Sequence, residues 1–172
     1  MPTPLARTSA EAHLYLELHG CDCGERAFAP ETAVVVLEDG ELGSRYTYAC
    51  PRCGKKHEVT FRLPADPTPP GPGFTYGGPE PSELLDAGEW LAVADAYASQ
   101  APADPAGLSP EATERARALL TRAAAAMDEV LKFVPEGADS VPDAGGQADP
   151  GRFRRTRLTA VRDAYAGLVA QL

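Results

Sequence analysis

The chain has 172 residues, 44% of them apolar but only 7% aromatic, and a formal net charge of −9. That length suits one domain with a real core, or a small domain joined to a helical one, and the reliance on alanine predicts a thin core. No stretch approaches the roughly 20 apolar residues of a membrane span, and Met1–Arg7 lacks the apolar run of a signal peptide. The expectation is therefore a cytoplasmic protein with no membrane partner. The charge is uneven. Residues 64–107 carry seven acidic and no basic side chains, whereas 108–172 carry nine of each. A surface that is wholly a nucleic-acid footprint is excluded by this balance.

In chain order, residues 1–10 are expected to fray. His13-Leu-Tyr-Leu-Glu-Leu18 puts Leu14, Leu16 and Leu18 at alternate positions, the period of a half-buried strand. It leads into Cys21-Asp-Cys23-Gly24. Thr32-Ala-Val-Val-Val-Leu37 is β-branched and strand-like, and Asp39-Gly40 supplies a turn. Tyr46-Thr-Tyr48 runs into Cys50-Pro-Arg-Cys53-Gly54. His57 to Leu63 leaves it, with Val59, Phe61 and Leu63 alternating. All four cysteines of the protein thus lie in two short clusters, 26 residues apart. Thiolates two or three residues apart turn toward one ion from a tight turn, and two such turns supply the four sulfurs of a closed tetrahedral zinc site. The glycine after each pair can take the positive φ that aims backbone N–H groups at the sulfurs. In a reducing compartment such pairs are metal ligands more often than disulfides.

Residues 64–81 hold seven prolines and four glycines, with Phe74 and Tyr76 among them. They read as a semi-extended connector, whose aromatics either dock on a neighbouring face or form a recognition segment. Three helices are predicted beyond it. Asp86 with Glu89 forms a capping box for the first, which has an apolar stripe of Trp90, Leu91, Ala94, Tyr97 and Ala98. Ser109-Pro110-Glu111 opens the second, with Ala116, Leu119, Leu120, Ala123, Met127, Val130, Leu131 and Val134 as its stripe, and Pro135 ends it. The third runs from about Arg152 to the end, with Leu158, Val161, Tyr165, Leu168 and Leu172 on one face.

The two cysteine clusters resemble the knuckles of zinc-ribbon proteins, over roughly residues 13–63. The resemblance implies one structural Zn2+ held by Cys21, Cys23, Cys50 and Cys53, and a ribbon fold, but no particular activity. The first knuckle has one residue between its cysteines where two are usual. Cys21 or Cys23 is on that account the weaker ligand, and His19 and His57 lie close enough to substitute. Cys23-Gly24-Glu25 with Cys50-Pro-Arg-Cys53 also looks like the three-cysteine site of cytidine deaminases, with Glu25 as general acid/base. Against this, Pro30 closes any helix after Cys23, residues 55–63 alternate like a strand, and Ala49 stands where that family has proline. A fourth cysteine also closes the metal to water.

Arg152, Arg154, Arg155 and Arg157 form the one basic cluster, at the start of the third predicted helix, where positive charge opposes the dipole. It either meets an anion or a partner surface, or is a solvated face. With Lys55 and Lys56 it keeps a nucleic-acid reading open. No Ser/His/Asp arrangement or phosphate-cradling glycine loop is present. The stretches Glu83 to Asp95, Glu129 to Pro135 and Gly151 to Arg155 are similar to uncharacterised actinobacterial proteins found near toxin or secretion genes. An excess of arginine over lysine, 13 to 3, fits such a source.

The expected architecture is α+β: an antiparallel β zinc ribbon over 11–63, a connector over 64–81 and a three-helix region over 82–172. The expected role is non-enzymatic, binding another protein as an adaptor or immunity-type protein. A nucleic-acid-associated ribbon protein and a deaminase-like zinc hydrolase are the alternatives.

Overall fold

The computed structural model describes residues 2–66, 73–102, 107–142 and 149–172. The chain divides into two compact units, Met1–Pro69 with Ser82–Leu84, and Pro70–Pro81 with Leu85–Leu172. An antiparallel sheet near the N-terminus followed by helices makes the fold α+β, as the sequence predicts.

The first unit opens with a helix, α1 (Ser9–Leu18), where the leucine alternation predicts a strand. The reason is local. Thr8 caps the helix, accepting a hydrogen bond from the Glu11 N–H, and no β-branched residue occurs between 9 and 18. Ala12, Leu14 and Leu16 are all buried because a wide arc of the helix, rather than one strand face, is covered. At its other end, the Arg26 guanidinium donates to the carbonyls of Glu17 and Leu18, a cation on the negative end of the helix. The ribbon layout of strand, knuckle, strand, twice over, is therefore corrected in its first arm.

Three strands follow: β1 (Glu31–Val36), β2 (Leu42–Ala49) and β3 (Lys56–Arg62), in the order β1-β2-β3. Register pairs Val34 with Ser44 and Ser44 with Phe61, and pairs Thr32 with Tyr46 and Tyr46 with Val59. Directly paired residues share a face, so Tyr46 and Phe61 lie on one side of the sheet. There His13 meets Tyr46 and Tyr15 meets Phe61, each edge to face, so α1 is the layer that covers this side.

The expected fraying of residues 1–10 also needs correction. Arg62 donates its N–H to the Pro4 carbonyl at 2.8 Å, and Ala6 donates to the Arg62 carbonyl at 3.0 Å, which seats the chain start along β3. Arg7 and Glu11 are buried as an ion pair at 2.5 Å, and Ser82 Oγ donates to the same carboxylate at 2.7 Å.

The second unit holds α2 (Ala87–Gln100), α3 (Pro110–Lys132), a 3-10 turn (Pro150–Phe153) and α4 (Arg155–Gln171). Both predicted starts are observed: the Asp86/Glu89 capping box is complete, and Ser109 caps α3 with Pro110 in its first turn. The helix α3 packs against α2 on one side and α4 on another. This explains why Ala125, Ala126 and Glu129 are buried along with the predicted stripe. In α4 only Leu158 of the predicted stripe is fully buried, and Leu168 is exposed.

The aromatics of the connector belong to this unit. Tyr76 is buried with its ring 4.8 Å from that of Trp90, Phe74 stands edge-on to Tyr76, and the Arg122 guanidinium lies over Phe74. Residues 67–72 of the predicted connector, 103–106, and 143–148 of the predicted loop before α4 lie outside the described residues.

Candidate metal centre

Each knuckle is a tight turn closed by two backbone hydrogen bonds. In the first, Cys21 N–H donates to the Glu25 carbonyl at 2.9 Å and Gly24 N–H donates to the Cys21 carbonyl at 2.8 Å. In the second, Cys50 N–H donates to the Lys55 carbonyl and Gly54 N–H to the Cys50 carbonyl, both at 2.8 Å. The pattern is the same and the size differs by one residue. The turn-closing glycine is three positions after Cys21 but four after Cys50, and both glycines sit at positive φ, 89° and 73°. The shorter spacing at Cys21 and Cys23 is thus absorbed as a four-residue turn, and both sulfurs still point inward.

The four Sγ atoms lie within 4.8 Å of one another. Cys21 Sγ is 3.5 Å from Cys53 Sγ, and Cys23 Sγ is 3.5 Å from Cys50 Sγ, so each close pair joins one knuckle to the other. A regular zinc–thiolate tetrahedron with bonds of about 2.3 Å has sulfur–sulfur edges of about 3.8 Å. The donor set fits a single metal ion, and none of the four cysteines is in a disulfide. Each knuckle supplies one buried thiol, Cys21 and Cys50, and one that solvent reaches, Cys23 and Cys53, the last of these exposed.

Two contacts brace the knuckles against each other. Arg52 donates to the Cys23 carbonyl at 3.0 Å, and Lys55 pairs with Asp22 at 2.6 Å. The thiols themselves are poised unequally. Burial works to raise Cys50, but the N–H groups of Cys53 and Arg52 and the neighbouring thiols outweigh it and bring it down to about 7. The Cys23 N–H favours the Cys21 thiolate, yet burial and the hydrogen bond with Cys53 leave that thiol raised. Cys23 is likewise raised by burial and by Cys50, against the Glu25 N–H.

Among the described residues the cluster comprises the four cysteines and neither histidine. His19 stacks on Tyr15 with Nδ1 at the Tyr15 carbonyl, and His57 stacks on Tyr48. Glu25 turns its carboxylate onto the N–H groups of Arg26 and Ala27, at 2.9 and 3.0 Å. These bonds hold it below the usual carboxylate range. An open cleft of about 590 Å³ lies beside the second knuckle, lined by residues that include Glu31, Tyr48, Lys56 and His57 but no cysteine.

The arginine cluster sits at the start of α4. One guanidinium nitrogen of Arg152 donates to both carboxylate oxygens of Asp95 on α2, at 2.7 and 2.8 Å. Arg155 donates to the carbonyls of Val134, Pro135 and Ala138, just past the end of α3. Arg157 lies 3.7 Å from Asp149, and Arg154 is exposed. The sequence pattern showed the cluster but not these partners, which come from loop carbonyls and from a helix about 60 residues away.

Fold and site together define an α+β protein with a four-cysteine cluster suited to one metal ion. Compared with protein-family models, curated proteins and solved structures, the chain finds no match. Among the described residues, no helix is long and apolar enough to cross a membrane.

Proposed function

We propose that this chain is a zinc-stabilised, non-enzymatic protein that binds another protein, in the manner of an adaptor or immunity-type protein of a bacterial toxin or secretion system. The observation that carries the reading is the closed set of four thiols within 4.8 Å. Four thiolates in this arrangement favour zinc, and a four-thiolate zinc has no open position for water or substrate. Cys21, Cys23, Cys50 and Cys53 would hold the ion, which would supply folding energy to a sheet too small to bury much by itself. Such a site needs reduced thiols, which is why the cytoplasm is assigned.

The surroundings support this reading over its rivals. A general acid/base works best with a pKa near the operating pH. Glu25 is tied to two backbone amides and held low, which counts against a deaminase-like hydrolase. Arg152 and Arg155 spend their charge inside the helical unit, which counts against a phosphate-binding face. Val34 and Val36 are exposed apolar side chains of the kind a protein partner covers. A net charge of −9 suits a basic partner, and the resemblance to proteins near toxin and secretion genes gives the role its concrete form.

The test has two parts. Metal analysis of the purified protein should find one zinc per chain, and Cys50→Ser/Cys53→Ser should lose it. A pull-down from the native host should return a single protein that this double variant fails to hold. Recovery of nucleic acid in place of a protein would sink the reading, and so would cytidine deamination that Glu25→Ala abolishes.

A further inference from the structure

The sheet of the first unit is finished on one edge and unfinished on the other. Along β3 the outer edge receives the chain start at Pro4 and Ala6. The outer edge of β1 pairs with nothing among the described residues. The apolar face shows the same asymmetry. Val34, Val36 and Leu42 share the face that α1 covers at Tyr46 and Phe61, because Val34 pairs with Ser44, Ser44 with Phe61, and Val36 with Leu42. Yet Val34 is 67% exposed, Val36 73% and Leu42 52%. The core face runs out from under its helix and ends as open valine.

The backbone of β1 is ready to be extended. Leu37 N–H donates inward to the Glu41 carbonyl at 2.8 Å. Antiparallel ladders alternate, so Val35 and Ala33 also turn inward, while Thr32, Val34 and Val36 direct their N–H and C=O groups away from β2. Exposed edges are normally blunted by lysine, proline or a bulge. From 31 to 36 the strand has none of these, and its one charge is Glu31 at its start.

Charge says what the edge takes. Glu31 lies at one end of the apolar run, and Glu38, Asp39 and Glu41 lie in the turn at the other. Arg45, opposite Ala33, shares the face of Glu31 but stands on β2, one strand further from the open edge than the carboxylate. Two copies of this chain paired antiparallel through Val34 would bring each Glu31 beside the other's Glu38–Asp39 turn, a like-charge clash at both ends. A strand with basic ends meets the opposite sign at both.

We propose that the β1 edge binds an extended segment of a partner protein, with alternating apolar side chains and Lys or Arg at its two ends, which adds to the sheet beyond β1. The proposal rests on the protein-binding reading above and names the surface and the chemistry of the partner.

The probe is a labelled peptide, Lys-Val-Thr-Val-Thr-Val-Lys, titrated into the full-length zinc-loaded protein and read by fluorescence anisotropy. A Glu-ended peptide of the same core is its control. The expected result is binding of the Lys-ended peptide about tenfold or more tighter than the Glu-ended one, weakening as salt rises. Val34→Lys and Val36→Lys should each remove it while zinc content and thermal midpoint stay unchanged. Equal binding of the two peptides, binding of neither, or unaltered binding by both variants overturns the proposal. A wild-type dimer in sedimentation that Val34→Lys dissociates also overturns it, by making a second copy the occupant. The pull-down separates this failure from that of the broader reading. If Val34→Lys still holds the protein that Cys50→Ser/Cys53→Ser loses, the chain binds a protein but by another surface.

Discussion

Single residues hold the metal centre in shape from outside the ligand set. Gly20 shows this best. A Cβ there would lie 2.6 Å from the Glu25 carbonyl oxygen, the group that accepts the Cys21 N–H and closes the first knuckle. Backbone cannot give way as a side-chain tip can, so Gly20→Ala should open the turn and weaken metal binding at least several-fold, read by competition with a chromophoric chelator. Glu11 is the second case. Its carboxylate is fully buried against Arg7 and Ser82, and Glu11→Gln removes the buried negative charge that faces the arginine. Breaking a buried pair from one side costs about 3–5 kcal/mol. Chemical denaturation of the first unit should show a loss of that order. Replacing both partners, as Arg7→Met with Glu11→Leu, should recover most of it.

At the scale of elements, caps decided where helices began, and they were readable. Asp86 with Glu89 and Ser109 with Pro110 are local signals that need no tertiary partner, so the starts of α2 and α3 were visible in the chain itself. Asp86→Ala should remove one half of the box and cost about 1 kcal/mol, a drop of a few degrees in thermal midpoint. The failure at α1 has the same root. Leu14, Leu16 and Leu18 alternate as in a strand, but Thr8-x-x-Glu11 caps a helix and no β-branched residue follows to oppose it. A helix covered over a wide arc loses its 3.6-residue signature, and then capping is the safer guide. What no local pattern could show is how two helices end. Arg26 closes α1 and Arg155 binds carbonyls beyond α3, each reaching back from a later segment. The arginine cluster that opposes the dipole of α4 thus ties down the chain that follows α3.

On the scale of the whole molecule, the chain has two compact units and, among the described residues, one metal-type cluster, which lies in the first. Removing the proposed zinc should therefore act unevenly. With a strong chelator present, amides of β1 to β3 should lose protection from hydrogen exchange, while those of α2 and α3 keep theirs. Uniform loss across both would mean that the helical unit depends on the metal too. The cysteine spacing makes the clustering of the four thiols legible at once, since few other chemistries use two such pairs. Their unequal turns were not legible. A four-residue and a five-residue turn reach the same point only because Gly24 and Gly54 both adopt positive φ.

Each knuckle pairs a buried cysteine with a more exposed one, and that asymmetry bears on the order in which the thiols would react. An ion leaving four such bonds does not release them together. Cys53, the exposed one, is the first that an electrophile or a competing thiol can meet, and Cys23 is the next. Cys21 and Cys50, both buried, would be the last. A metal ion held by these four cysteines would then be expected to leave from the Cys53 side first. Mass spectrometry during slow alkylation of the zinc-loaded protein would read that order directly, as a single adduct on Cys53 before any other.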